Sequence, residues 1–184
     1  MVILIGGAGY VGKTLMAQNI LEKYKIPYLS MDHLKMGIFR GCANCSFTPE
    51  SKDTLITEKL WPIIKGIIMT NIENNQNITI EGCYFPFSIN ELGKEYFEKI
   101  IFFYIGFSEK YIKENFSSKI IENRNVIEKR GYEFDTALEQ YIIEHNEIKT
   151  MCIKNGVKYF EINNNYDNEI KFVYKWIENE WNKK

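Results

Sequence analysis

An α/β fold is predicted for this chain, with a five-stranded parallel sheet between two layers of helices. Two observations predict it: five short apolar runs have the character of strands, and segments with apolar residues at helical spacing separate them. The runs are residues 2–5, 26–30, 77–81, 99–105 and 157–162. Strands that alternate with helices favour parallel pairing with helices on both faces. No linker or repeat divides the 184 residues, so we expect one domain over 1–184.

The first half of the chain alternates clearly. The run 2–5 is continuously apolar, as expected of a strand buried on both faces. A helical pattern over 13–24 follows it. The second strand has Pro27 near its start, a position that strands tolerate. The next helical stretch, 52–74, is interrupted by Pro62, so we expect either a kink or two helices there.

The second half continues the alternation after the third strand. The run 99–105 is the strongest strand signal in the chain. Helical patterns cover 108–128 and 135–154, and Gly156 is predicted to end the second one in a left-handed conformation. After the fifth strand, residues 167–181 form the pattern of a closing amphipathic helix.

Composition excludes several classes of protein. The 23 basic and 24 acidic residues leave a formal net charge of -1, without the basic excess typical of nucleic-acid-binding surfaces. No apolar run reaches the roughly 18 residues of a membrane helix, and no basic leader starts the chain. Four cysteines are too few for a disulfide scaffold, and the pair Cys42 and Cys45 supplies only two of four zinc ligands. We expect a cytoplasmic protein without nucleic-acid or membrane partners, in an oligomeric state that the sequence does not predict.

A glycine-rich loop follows the first strand. Residues 7–14 match the phosphate-binding pattern G-x-x-x-x-G-K-[ST] at every fixed position. The glycines let successive backbone N–H groups face phosphate oxygens, and the helix after the loop adds the positive end of its dipole. Lys13 would reach the β- and γ-phosphates, and the Thr14 hydroxyl would bind Mg²⁺. ATP and Mg²⁺ are therefore the expected cofactors, bound by Gly7, Ala8, Gly9, Tyr10, Val11, Gly12, Lys13 and Thr14.

Two carboxylates follow the next two strands. Asp32 comes just after the second strand, and Glu81 ends the third. Since the carboxyl ends of parallel strands form the ligand crevice of an open sheet, we expect both beside the glycine-rich loop. Phosphoryl transfer needs a carboxylate that receives or orients the acceptor's proton, and we assign this role to Asp32. Glu81 would hold Mg²⁺ through water or would itself be the base, and Asp32 could alternatively cap a helix.

Arginine is scarce in this chain, with three residues among 23 basic ones. Because the guanidinium fork suits phosphate and carboxylate, each arginine is a candidate for the site, with a surface position as the alternative. Arg40, assisted by Lys35, would hold an acceptor phosphate or carboxylate.

This arrangement resembles the nucleoside- and nucleotide-kinase-like branch of P-loop proteins, which includes adenylate kinase, shikimate kinase, chloramphenicol phosphotransferase and zeta-toxin kinases. The resemblance implies an acceptor site between the second and third strands. It also implies a mobile lid, here about residues 117–134, whose Arg124 and Arg130 would neutralise charge on the transferring phosphoryl group. The acceptor-binding residues expected from this layout are Asp32, Lys35, Arg40, Glu81 and Gly82.

One motif departs from that branch. Nucleoside monophosphate kinases carry Asp-Gly-x-Pro-Arg after the third strand, whereas residues 81–87 are Glu-Gly-Cys-Tyr-Phe-Pro-Phe, without arginine. We therefore expect an ATP-dependent kinase that transfers the γ-phosphoryl group to a hydroxyl or phosphate of a small molecule. A nucleoside monophosphate kinase that relies on Arg40 is one alternative. An ATP-binding regulatory or toxin-like protein is another, and a GTPase is disfavoured because no Asn-Lys-x-Asp motif is present.

Overall fold

The computed structural model describes residues 1–125 and 136–184, with the side chains of all of these except 124 and 125. Its strands are β1 (Val2–Gly6), β2 (Tyr28–Ser30), β3 (Ile78–Gly82), β4 (Ile100–Phe107) and β5 (Lys158–Ile162). They form one all-parallel sheet in the order β2-β3-β1-β4-β5. The predicted α/β fold with five parallel strands is confirmed.

Helices connect the strands and cover the sheet. The described part of the chain contains α1 (Lys13–Tyr24), α2 (Met31–Gly41), α3 (Asp53–Glu73), α4 (Lys94–Phe97), α5 (Glu109–Asn115), α6 (Leu138–Asn155) and α7 (Tyr166–Lys183). Short 3-10 turns occupy Asn90–Leu92 and Glu122–Asn125, and a π-helical turn occupies Phe116–Ile121. None of the helices within the described ranges combines the length and apolar character that a membrane span requires.

The central strand β1 is buried along its whole length, which explains its continuous apolar sequence. Successive side chains of a strand point to opposite faces, so β1 contributes to two cores. Ile3 and Ile5 pack in the layer that includes α1 and α7, while Val2 and Leu4 pack in the layer that includes α2 and α3. The sheet is therefore the middle of three layers.

Pro62 does not divide the helical stretch in which it lies. The structure has one continuous helix, α3, from Asp53 to Glu73, so the expectation of two helices is wrong. Proline in a helix interior costs about 3 kcal/mol. Buried side chains on both sides of it, including Leu60, Trp61 and Ile64, pack against the sheet and outweigh that cost.

Other element boundaries differ from prediction mainly at their ends. The helical pattern over 108–128 begins as α5 but continues as the π-helical and 3-10 turns, and its last three residues lie outside the described ranges. Gly156 has φ 67°, which confirms the predicted left-handed end of α6. Of the predicted second strand, residues 26–30, only Tyr28–Ser30 form β2.

Candidate active site

The loop between β1 and α1 has the backbone conformation that its glycines allow. Gly12 has φ 88° and Tyr10 has φ 59°, both in the left-handed region. A Cβ on Gly12 would run into the hydroxyl of Tyr166, and a Cβ on Gly7 would run into the carbonyl oxygen of Ile105. Glycine at positions 7 and 12 is thus required by the close approach of neighbouring groups as well as by the backbone.

The Lys13 side chain lies buried against the loop. Its Nζ donates a hydrogen bond of 2.6 Å to the carbonyl oxygen of Ala8, and the residue is 7% exposed. Burial by itself lowers the pKa of this amine, but the neighbouring Cys83, Glu81 and Asp32 side chains raise it more, so its pKa lies above the ordinary value. Lys13 is therefore a fixed positive charge at the loop.

A cavity of about 640 Å³ opens beside this loop at the carboxyl end of the sheet. Loop residues 9–14 line one part of it, and Asp32, Lys35 and Glu81 line another. The loop follows β1, Asp32 and Lys35 follow β2, and Glu81 lies near the end of β3; these three strands are neighbours in the sheet. The structure thus brings the predicted phosphate-binding and carboxylate residues into one cavity, through the parallel strand order.

We call the wall formed by Asp32, Lys35, Asp53, Glu81, Cys83 and Tyr84 the acceptor side. Its centre is a hydrogen-bonded group of three side chains. The Lys35 ammonium lies 3.1 Å from Asp32 Oδ1 and donates to the Tyr84 hydroxyl at 2.6 Å. The Tyr84 hydroxyl in turn donates to Asp32 Oδ1 at 3.2 Å. Two donors therefore hold the Asp32 carboxylate in one orientation.

Helix position also bears on the role of Asp32. Helix α2 begins at Met31, and its N-cap residue is Ser30. Asp32 lies in the first turn, so the alternative that it caps the helix is wrong. There it adds a favourable charge at the positive end of the helix dipole while its carboxylate faces the cavity.

Three further acceptor-side residues surround this group. Glu81 is 2% exposed and pairs in register with Ile5 of β1. Asp53 begins α3 at the solvent-accessible rim, where desolvation and then the charge of Asp32 raise its pKa, against opposing effects of Lys35 and Lys13. Burial raises the pKa of the Cys83 thiol to about 11, so this thiol is neutral.

Two helices from the C-terminal half also contact the phosphate-binding loop. The Tyr141 hydroxyl in α6 donates to the Gly9 carbonyl oxygen at 2.7 Å, and Glu144 in the same helix accepts a hydrogen bond from the backbone of Gly9. Tyr166, which begins α7, donates to the Val11 carbonyl oxygen at 3.4 Å. Sequence reasoning missed these residues because they lie more than 130 positions from the loop in the chain.

Aromatic side chains form another part of the cavity wall, which we call the aromatic end. The rings of Phe107 and Tyr111 stack with centroids 4.8 Å apart, and Tyr166 lies edge-on to Phe107 at 6.3 Å. Ile120 and Asn123 also line the cavity. Aromatic rings provide stacking for a planar heterocycle.

Several predicted site residues lie outside the cavity lining or outside the described residues. Arg40 is exposed in the last turn of α2 and is not among the residues that line the cavity. Gly82 lies close to Met31, whose side chain would meet a Cβ at that position. The backbone of Arg124 belongs to the 3-10 turn, whereas its side chain, Arg130 and positions 126–134 of the predicted lid lie outside the described residues.

The cysteine pair shows no third partner for a metal. Cys42 is exposed and Cys45 is half-buried, and both thiols are free. In the described part of the chain, no group of three histidine, cysteine, aspartate or glutamate side chains is placed to hold a metal ion. The oxygen ligands predicted for Mg²⁺, Thr14 and Glu81, both line the cavity.

Two solved structures are similar to this chain. One, named as a putative kinase from Chloroflexus aurantiacus, is 13% identical with a TM-score of 0.51, over 97% of this chain and 96% of that one. A gluconokinase from Sinorhizobium meliloti is 14% identical with a TM-score of 0.44, over 92% and 87%. The first likeness shows a shared fold, and at such identity it does not bear on the reaction. No protein-family model matches the sequence, and no curated protein is significantly similar to it.

Proposed function

We propose that this protein is an ATP-dependent kinase of a small molecule, from the nucleoside- and nucleotide-kinase-like branch of P-loop proteins. One observation carries the proposal: a single cavity is lined by the phosphate-binding Lys13 and Thr14 and by the carboxylates Asp32 and Glu81. Phosphoryl transfer depends mostly on positioning and electrostatic stabilisation, and these residue types supply both. The acceptor is a hydroxyl or phosphate of a small molecule.

The nucleotide is bound by the loop and by the aromatic end of the cavity. Backbone N–H groups of residues 7–14 hold the phosphates, and Lys13 moves its ammonium from the Ala8 carbonyl oxygen to the β- and γ-phosphates. The adenine ring lies at the aromatic end, against Phe107, Tyr111 and Tyr166.

Mg²⁺ fits the residues that this cavity provides. The ion prefers oxygen ligands and keeps several of its waters. The Thr14 hydroxyl and the Glu81 carboxylate are such ligands, directly or through water, and both line the cavity next to Lys13. When bound, the ion neutralises charge on the phosphate oxygens.

Asp32 is the base in this proposal. An acceptor hydroxyl oxygen forms a bond to the γ-phosphorus while the bond from that phosphorus to the β–γ bridging oxygen breaks, and ADP leaves with the bond's electron pair. The proton of the hydroxyl passes to Asp32. The Asp32 side chain is 25% exposed and faces the cavity, whereas Glu81 is 2% exposed, so Asp32 is the more accessible carboxylate.

The decisive experiment measures coupled ADP release from ATP and Mg²⁺ with a panel of nucleosides, nucleoside monophosphates, sugars, phosphorylated acids and amino alcohols. Stimulation by one acceptor, absent in Lys13→Ala, supports the kinase. We expect Asp32→Asn to lower the transfer rate by about 10² to 10⁴-fold while ATP still binds, because proton transfer then lacks its base.

Glu50→Gln is the matched control, since Glu50 is an exposed acid outside the cavity lining. Its transfer rate stays at the wild-type value. Retained turnover in Asp32→Asn would remove Asp32 as the base. Tight ATP binding without stimulation by any acceptor would favour the ATP-binding regulatory or toxin-like alternative.

A further inference from the structure

The acceptor side of the cavity has an ammonium group that is already engaged. Lys35 is 8% exposed, and its Nζ contacts the Tyr84 hydroxyl at 2.6 Å and Asp32 Oδ1 at 3.1 Å. The same ammonium lies 4.8 Å from the centroid of the Tyr84 ring. The Lys35 ammonium therefore makes three contacts, two with Tyr84 and one with Asp32.

An anionic acceptor would disturb this group. If Lys35 left Asp32 to bind a phosphate or carboxylate, the partly buried Asp32 carboxylate would lose its counter-charge, which is unfavourable. If Lys35 stayed, the anion would approach Asp32 and Asp53 against like charge. Either way, one ammonium would have to share its charge between Asp32 and an acceptor anion, which weakens its hold on Asp32.

Other cations do not replace Lys35 on this wall. Among the described residues that line the cavity, the other basic side chains are Lys13 of the phosphate-binding loop and Lys119 of the π-helical turn, so Lys35 is the one basic side chain of the acceptor side. Arg40 is exposed and outside the lining. In the proposed function, Arg124 and Arg130 act on the transferring phosphoryl group.

We infer that the phosphoryl acceptor is an alcohol without a phosphate or carboxylate group, and that Lys35 and Tyr84 are positioning residues that hold Asp32 toward its hydroxyl. This inference rests on the proposed function and narrows its acceptor from hydroxyl or phosphate to hydroxyl. The tyrosine hydroxyl fixes the carboxylate by donation, and the lysine keeps it ionised so that it can accept a proton.

The test uses the full chain with ¹³C-labelled aspartate side chains and follows the Asp32 carboxyl signal by NMR. Because the lysine charge favours the carboxylate, we expect the apparent pKa of Asp32 to rise by about one unit or more in Lys35→Met. Tyr84→Phe gives a smaller rise in the same direction and preserves the ring if the lysine variant folds poorly. Lys59→Met, which removes an exposed lysine paired with Glu58, leaves the Asp32 titration unchanged.

The second arm of the test titrates inorganic phosphate and acetate into protein loaded with Mg²⁺ and a non-hydrolysable ATP analogue. We expect neither anion to move the Asp32 signal at up to about 50 mM, since Lys35 is occupied. Anion binding at millimolar concentration that shifts this signal, or an unchanged Asp32 pKa in both variants, would overturn the inference.

Turnover supplies a separate check. In the acceptor panel, an uncharged or amino alcohol should stimulate ADP release at least about tenfold better than its phosphorylated counterpart, a difference of about 1.4 kcal/mol. With that acceptor, Tyr84→Phe lowers kcat and shifts the pH–rate profile while KM stays nearly constant. Stimulation confined to anionic acceptors would contradict the inference.

Different results would contradict the proposed kinase function and the inference about Lys35 and Tyr84. If the ATP analogue does not bind, or its binding survives Lys13→Ala, the proposed kinase function falls. The pKa of Asp32 in Lys35→Met and Tyr84→Phe can still be measured on the nucleotide-free protein, so it tests the role of Lys35 and Tyr84 by itself.

Discussion

Glu144 places a carboxylate on the phosphate-binding loop. The backbone of Gly9 donates to it, while the Tyr141 hydroxyl donates to the carbonyl oxygen of Gly9. Desolvation raises the pKa of Glu144, although Lys13 and the hydrogen bond from Gly9 act in the opposite direction. A triphosphate on the loop would compete with this carboxylate for the same backbone donor and would repel it.

We therefore expect Glu144→Gln to bind ATP with Mg²⁺ more tightly, by about three- to tenfold, or roughly 1 kcal/mol. The amide oxygen keeps the hydrogen bond from Gly9 but removes the like charge. Isothermal titration calorimetry measures the change. Glu147→Gln, an exposed position on the same helix, is the control and should keep wild-type affinity. Unchanged or weaker binding in Glu144→Gln would contradict competition at Gly9.

The residues around the phosphate-binding loop differ in whether the sequence could predict them. Lys13, Thr14, Asp32 and Glu81 follow strand ends or a recognisable motif, so their meeting could be predicted from the parallel sheet. Glu144 belongs to no motif. Its contact with Gly9 depends on how α6 crosses the loop, which tertiary packing decides.

At the scale of secondary-structure elements, α7 is held by an aromatic contact with the sheet. Trp176 lies edge-on to Phe103 of β4 and Phe160 of β5, with ring centroids 5.5 Å and 5.1 Å apart. Edge-on aromatic pairs add about 0.5–1.5 kcal/mol beyond the burial of their area. This contact joins the last helix to two adjacent strands and so supports Tyr166 beside the phosphate-binding loop.

Removing the indole should loosen this helix. We expect Trp176→Ala to lower the free energy of unfolding by about 3 kcal/mol, the lower end of the range for large aromatic truncations, because Trp176 is only partly buried. Phe172→Ala on the same helix should change it by less than about 0.5 kcal/mol, since Phe172 is 70% exposed. Urea denaturation gives both values. Equal losses in the two variants would mean that the helix does not depend on this contact.

At the scale of the whole molecule, a buried histidine makes the free energy of unfolding depend on pH. His145 is 2% exposed and lies between Phe107 and Tyr141, with ring centroids 5.6 Å and 4.5 Å away. Its Nδ1 accepts a hydrogen bond of 3.0 Å from the Phe107 backbone, and Nε2 has no hydrogen-bond partner among the described residues. Burial, with a smaller effect of Lys13, lowers its pKa to about 3.

The lowered pKa of His145 determines whether acid raises or lowers the free energy of unfolding. Between the unfolded pKa of about 6.5 and the folded pKa of about 3, only the unfolded chain binds the proton, so acid favours unfolding. The stabilisation from neutral His145 is fully present above pH 6.5 and is lost on acidification, by up to about 1.4 kcal/mol per pH unit. Below about pH 3 the loss stops.

We expect the free energy of unfolding of the wild type to fall more steeply from pH 6.5 to 5 than that of His145→Asn, by about 2 kcal/mol over the interval. The asparagine oxygen can still accept from the Phe107 backbone. His33→Asn, at an exposed histidine, should follow the wild-type curve. Denaturant titrations at several pH values measure the slopes, and identical slopes for wild type and His145→Asn would exclude His145 as the source.

The sequence by itself determined the fold class, the five strands and the phosphate-binding loop, because these depend on local apolar patterns and on a motif with positional requirements. It also predicted that Asp32 and Glu81 meet Lys13, which the strand order explains. Tertiary structure decided that α3 continues through Pro62, that Arg40 stays outside the cavity, and that Lys35 and Tyr84 hold Asp32. The packing around Pro62 and the contacts of Tyr84 join residues distant in the chain, which no local pattern encodes.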